Sequence, residues 1–228
     1  MVDMVKKNTL YIVATPIGHP DDITLRAIEV LKQVDVIICE EYKPARRLLK
    51  RLDLLDKELI SINEHNEQEE TESILMRLLQ KEESMALISD CGTPVFSDPG
   101  HYLVKTAVEF GIAVVAIPGV SSLMTALSLL DFHLQEFVFG GFLPRSGGDR
   151  LKAMTRLRNM NMPVVLMDTP YRLTAVIEDA AKVFGKGRRA TLACDLTQKS
   201  EHVYRDTLGT IKNKIDGKKA EFILIIHA

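Results

Sequence analysis

Short runs of Val, Ile and Leu alternate along the chain with longer stretches whose apolar residues recur every three or four positions. In the first half, the runs at 10–14, 35–39, 58–62, 85–89 and 112–117 predict strands. In the second half, 137–142, 163–167, 189–194, 202–205 and 221–227 do the same. Helices are predicted between them over 23–33, 43–52, 67–81 and 99–110, then over 120–129, 151–158, 173–183 and 208–216. Leu25, Ile28, Val30 and Leu31 share one broad helical face, as do Ile74, Leu75, Leu78 and Leu79. Asp21 and Asp22 offer the first helix capping oxygens and favourable charge. The closely spaced runs at 189–194 and 202–205 suit a hairpin. Alternating apolar strands and helices predict an α/β fold whose sheets are covered on both faces. Pro118-Gly119 is the best break in the pattern, giving expected lobes 1–118 and 119–228.

Composition narrows the class. A chain of 228 residues can bury a full core without disulfide or metal staples. Its formal charge of −2 argues against a wholesale polyanion binder while leaving room for local basic patches. Cys39, Cys91 and Cys194 are scattered and form no CxxC pair, which suits a reducing compartment and no zinc site. Residues 1–8 lead into the first strand without a signal-peptide layout, and the longest apolar runs are five or six residues. The expectation is a cytoplasmic protein with no membrane attachment.

In open α/β sheets, ligands bind beyond the carboxyl ends of the strands, so the loops there matter most. Four carry unusual residues: Thr15-Pro16-Ile17-Gly18-His19-Pro20-Asp21-Asp22, then Asp90-Cys91-Gly92-Thr93-Pro94 with Ser97-Asp98-Pro99-Gly100, then Pro118-Gly119-Val120-Ser121-Ser122, and Asp168-Thr169-Pro170-Tyr171-Arg172. No GxGxxG is present, so a dinucleotide cradle is excluded. Any one such loop is ordinary turn punctuation. Four in one chain suit a small ligand held by backbone groups, with Asp90 or Asp168 available for hydrogen bonds.

These residues carry a resemblance. The opening Leu10-Tyr11-Ile12-Val13-Ala14-Thr15-Pro16-Ile17-Gly18, the Ile88-Ser89-Asp90-Cys91-Gly92-Thr93-Pro94 block, Ile117-Pro118-Gly119-Val120-Ser121-Ser122, Gly141-Phe142-Leu143-Pro144 and Glu64-His65-Asn66-Glu67 occur in an order spanning nearly the whole chain. Together they resemble the bacterial ribosomal RNA small-subunit methyltransferase I family, cytidine 2′-O-methyltransferases of the tetrapyrrole methylase superfamily. The resemblance implies two α/β lobes with S-adenosylmethionine in the cleft between them, and a homodimer. It assigns the cofactor to Pro16, Asp90, Gly92, Thr93 and Val95, to Ser121 and Ser122, and to Asp168 and Ala193, with no metal. Departures fall at Glu40-Glu41-Tyr42-Lys43, Met167-Asp168-Thr169-Pro170-Tyr171-Arg172, Ala193-Cys194-Asp195-Leu196-Thr197-Gln198 and Asp206-Thr207, and longer members continue past the last strand.

Methyl transfer to a ribose hydroxyl needs in-line placement and a destination for the hydroxyl proton. Glu40, Glu64, His65 and Asp98 are the candidates, and no single base is assigned. Three basic clusters bear on the acceptor: Lys43, Arg46, Arg47, Lys50 and Arg51; Arg145, Arg150, Lys152, Arg156 and Arg158; and Lys182, Lys186, Arg188 and Arg189. If they converge they form a phosphate-binding rim, whereas singly each is an ordinary helix surface. Ribosomal RNA or the small ribosomal subunit is the leading acceptor. A tetrapyrrole or other small molecule, and a non-catalytic binding protein on the same fold, are the alternatives.

Overall fold

The computed structural model describes residues 5–96 and 98–228. Residues 1–4 and Ser97, of the loop before Asp98, lie outside the described residues. The chain divides into two compact units, Met1–Ser121 and Ser122–Ala228, a division three residues beyond the expected Pro118-Gly119 break.

Unit 1 alternates strand and helix without exception: β1 Thr9–Val13, α1 Leu25–Gln33, β2 Val36–Cys39, α2 Tyr42–Arg51, β3 Glu58–Ser61, α3 Glu67–Gln80, β4 Ser84–Ile88, α4 His101–Glu109 and β5 Ala113–Ile117. The five strands are all parallel in the order β3-β2-β4-β1-β5. The pleat sends alternate side chains to opposite faces. Tyr11, Val13, Ile37, Cys39, Ala86 and Ile88 pack against α1 and α2 through Val30, Leu31, Ala45 and Leu49. Leu10, Val36, Ile38, Met85 and Leu87 pack against α3 and α4 through Ile74, Leu78 and Leu103. Burial on both faces is why these strands read as unbroken apolar runs. β1 and β4 are neighbours whose onward connections leave in opposite directions, toward β2 and toward β5, on opposite faces. That is a topological switch point, where parallel sheets open a crevice at their carboxyl ends.

Unit 2 comprises α5 Ser122–Ser128, β6 Val138–Phe142, α6 Gly147–Arg158, β7 Val164–Asp168, a 3₁₀ turn Pro170–Arg172, α7 Leu173–Phe184, β8 Arg189–Cys194, β9 His202–Thr207, α8 Leu208–Lys214 and β10 Phe222–Ile226. Its sheet is mixed, in the order β6-β7-β10-β8-β9, with only β6 and β7 parallel. The anticipated hairpin forms, and β9 runs on to Thr207 because it pairs with β8 along its whole length. α6, α7 and α8 cover one face, with Met154, Leu157, Val176, Ile177, Leu208 and Ile211 meeting Val164, Leu166, Leu192 and Leu224. α5 lies against β10.

Three local expectations are corrected. Thr24, not Asp21 or Asp22, caps α1: its Oγ1 accepts from the Ala27 N–H at 3.1 Å, while Asp21 pairs with Arg51. α6 begins at Gly147 rather than residue 151, because Asp149 and the Ser146 N-cap position suit a first turn that two glycines disguise. α4 begins at His101, and its cap comes from another helix: Glu67 Oε1 accepts from Gly100 N at 2.8 Å and Tyr102 N at 2.9 Å.

Candidate functional site

At the carboxyl edge of the unit 1 sheet, the loops after β1, β4 and β5 are tied to one another by backbone groups. Thr15 N donates to Gly92 O at 2.8 Å, and Ala14 N donates to Ile117 O at 3.3 Å. Buried Thr15 adds its hydroxyl to Ser89 O at 3.0 Å, and Thr93 Oγ1 donates to Val120 O at 3.1 Å. Gly92 has φ +84°, and a Cβ there would lie 3.2 Å from the Ile17 side chain and 3.7 Å from Val120 O. At Gly119 a Cβ would come within 2.9 Å of the Ala14 Cβ. Both positions need glycine, for backbone freedom at the first and for close approach at the second. The structure therefore brings Pro16, Asp90, Gly92, Thr93 and Ser121 to one edge. Val95 adopts φ +74°, costly for a β-branched residue, and its side chain packs against the α3/α4 core.

Carboxylates gather beside these loops. Asp90 Oδ1 accepts from Glu41 N at 3.4 Å, and Ser61 Oγ holds Glu40 O at 2.6 Å. Burial, then the charges of Asp90, Asp98, Glu41 and Glu64, pushes Glu40 above the usual carboxylate range. Asp90 is raised by burial and by Glu41 and Asp98, against the Glu41 N–H that favours its charged form. Asp98 is raised by burial, opposed by a hydrogen bond from Ser89. Of the four sequence candidates for a base, Glu40 and Asp98 thus belong to one electrostatic group, with Glu64 close enough to act on Glu40. His65 is exposed, its backbone N–H bonded to Asn63. Burial pushes the thiols of Cys39 and Cys194 up to about 12, so neither is a nucleophile at neutral pH.

In unit 2, Asp168 ends β7 with its side chain 1% exposed. Oδ1 accepts from Thr169 N at 2.8 Å and meets Arg172 at 3.3 Å, whereas Oδ2 is buried without a partner. Burial outweighs those partners and raises its pKa. Arg172 also donates to Leu143 O and Pro144 O at 2.9 and 2.7 Å, fastening the turn after β6 to the end of β7. Ala193 lies within β8, one residue from its end and 1% exposed, opposite Ile223. Ser122 is the first residue of α5.

The basic clusters separate. Arg150 is buried and bound to Asp179 at 2.8 and 2.7 Å, not a surface cation. Arg158 donates to Val183 O, Lys152 pairs with Asp149 and Lys182 with Asp179. On α2, by contrast, Lys43, Arg46, Arg47 and Lys50 are exposed and form no ion pair among the described residues. Among those residues no group of three or more His, Cys, Asp or Glu side chains could hold a metal ion, and no helix is long and apolar enough to cross a membrane.

A parallel five-stranded sheet with backbone-lined loops at its switch point, followed in the chain by a mixed five-stranded sheet, defines a class. The model for Tetrapyrrole (Corrin/Porphyrin) Methylases matches residues 9–212, and the chain belongs to that family. It is a methyltransferase whose cofactor is S-adenosylmethionine. Among relatives, it is 39% identical to Ribosomal RNA small subunit methyltransferase I of Micromonospora olivasterospora, over 93% of this chain and 67% of that one. To the protein of that name from Escherichia coli O157:H7 it is 36% identical, over 96% and 77%. Uroporphyrin-III-C-methyltransferase from Thermus thermophilus shares the fold, with a TM-score of 0.65 at 20% identity, over 97% of this chain and 94% of that one.

The unit 1 edge fits such a cofactor by its own chemistry. Gly92 and Gly119 let the loops after β1, β4 and β5 close on one another, so that backbone groups line the edge, and Asp90 offers an acceptor for hydroxyl or ammonium donors.

Proposed function

We propose that this methyltransferase acts on small-subunit ribosomal RNA, at a ribose 2′-hydroxyl. The observation that carries the reading is identity of 36–39% over nearly the whole chain to relatives bearing that name. S-adenosylmethionine supplies an electrophilic methyl group carried on a sulfonium.

The chain's own work is to bind, orient and exclude water. Pro16, Asp90, Gly92, Thr93, Val95 and Ser121 hold the cofactor from the loops of unit 1. In unit 2 the same reading assigns Ser122, Asp168 and Ala193 to it, with Asp168 Oδ2 a buried acceptor lacking a donor. Glu40 takes the hydroxyl proton, because burial and neighbouring carboxylates make it a stronger base than an ordinary carboxylate. We assign the protein to the cytoplasm, where ribosomal RNA is found, and as a homodimer.

The test is transfer of labelled methyl to small ribosomal subunits. Label is expected in the RNA, in a linkage that resists alkaline hydrolysis, as a 2′-O-methyl group does. Label reaching a uroporphyrinoid or precorrin instead of RNA overturns the acceptor.

A further inference from the structure

We infer that the exposed face of α2 is a docking surface for the phosphodiester backbone of RNA. The inference rests on the RNA-methylating reading above and deepens it by saying where the chain grips its acceptor. Lys43, Arg46, Arg47 and Lys50 stand at positions i, i+3, i+4 and i+7 of α2. At 3.6 residues per turn they form one stripe about 10 Å long, opposite Ala45 and Leu49, which are buried in the core. Arg51 flanks the stripe and is held by Asp21.

A solvated helix surface ordinarily mixes signs, as α1 does with Lys32 and Glu29 and α6 with Lys152 and Asp149. α2 carries no carboxylate at all, so its like charges face one another at i,i+3 and i,i+4, an arrangement that works against the helix. The imbalance extends across the sheet. α1 and α2 carry seven cations (Arg26, Lys32, Lys43, Arg46, Arg47, Lys50 and Arg51) against one carboxylate, Glu29. On the other face α3 and α4 carry Glu67, Glu69, Glu70, Glu72 and Glu109 against Arg77 and Lys105. A net charge of −2 therefore conceals a polarised unit 1, with its positive face beside the carboxyl edge, since α2 starts three residues after β2.

The chemistry of the stripe selects the occupant. Guanidinium forks match phosphate oxygens. A protein partner would need an apolar interface centre, and α2 exposes only Tyr42, at its first position. An anionic membrane would need a free apolar helix face, and that of α2 is already committed to the core.

The experiment compares two full-length variants: Lys43→Gln, Arg46→Gln, Arg47→Gln and Lys50→Gln together, and the same charge change on unit 2 through Arg145→Gln, Lys152→Gln, Arg156→Gln and Lys186→Gln. Each is titrated with a fluorescent single-stranded RNA over a salt series and with S-adenosylmethionine by calorimetry. The α2 variant should lose at least tenfold in RNA affinity at 100 mM salt, and about 3 units of the log K against log salt slope, at about 0.7 per phosphate contact. Its cofactor affinity should stay within twofold of wild type. Equal losses in both variants, or an unchanged slope in the α2 variant while wild type methylates small subunits, overturn the docking surface alone. A wild type that neither binds RNA nor methylates it overturns both readings.

Discussion

The two sheets each have five strands but place their loops differently. In unit 1 every strand is parallel, so all the loops that follow strands leave from one edge, and Pro16, Glu40, Asp90, Gly92 and Ser121 assemble there through topology alone. In unit 2 three of the four pairings are antiparallel, so strand ends and strand starts share each edge. Asp168 at the end of β7 lies opposite Phe222 at the start of β10. Unit 1 therefore gathers many small contributions, while the end of β7 in unit 2 offers a single buried carboxylate, Asp168, braced by Arg172. Parallel topology collects chemistry, and antiparallel pairing favours local scaffolding.

The sharpest test of that contrast is Glu40→Gln. It should lower kcat by about 10²–10⁴-fold if Glu40 takes the proton, with calorimetric cofactor affinity little changed. A kcat within twofold of wild type removes Glu40 from the chemistry. Leu224→Ala, at the centre of the unit 2 sheet, should do the reverse. Its side chain is fully buried, and urea unfolding should report a loss of about 2–5 kcal/mol.

Paired glycines probe the two units more gently. Gly92→Ala should weaken cofactor binding by about tenfold, since strain of about 1–3 kcal/mol accompanies a left-handed non-glycine residue there and the new Cβ meets Ile17. Gly185→Ala in unit 2 also sits at positive φ, +97°, but meets nothing within 4 Å. It should lower the melting temperature and leave cofactor affinity alone; equal loss of affinity in both would break the comparison.

The smallest effect contrasts the two edges of the unit 1 sheet. Asp98 is raised in the fold, so the stability it allows is fully present below the unfolded carboxylate value and is lost as pH rises through its folded value. Asp98→Asn should therefore raise the melting temperature at pH 7 by about 2 °C, with the gain vanishing near pH 3. At the opposite edge burial raises Asp35, but hydrogen bonds from Ser84 and the charge of Lys57 outweigh it and hold Asp35 below its usual value. Its stability is present above the unfolded value and lost as pH falls through the lower folded one, so Asp35→Asn should lower the melting temperature at pH 7. Opposite signs for the two variants are the expected outcome in calorimetric melts across pH.

What could be read from sequence follows the range of the interactions. The central strands were legible because burial on both faces leaves a continuous apolar run, and the loops because Gly and Pro mark sharp turns. Strand order was not, since crossovers leave no local trace. Nor was Glu67, which lies in an acidic first turn that any solvated helix could show, yet caps a helix 33 residues onward. Arg150 looked like one cation among five, and only its contact with Asp179, 29 residues away, marks it as interior. The Asp168 loop was legible as a site, but not the single buried oxygen that distinguishes it.

β10 occupies the middle of its sheet, joining the β6-β7 pair to the β8-β9 hairpin, although it is the last of the five strands in sequence. During synthesis the unit 1 sheet has all its strands once Ile117 has emerged. At about 5–20 residues per second, the unit 2 sheet waits roughly a further 5–20 s for its central strand. Until then it exists as two half-sheets, each with an unpaired inner edge open to the wrong neighbour. Nascent chains of this protein should thus depend on chaperone cover for unit 2 well after unit 1 has closed.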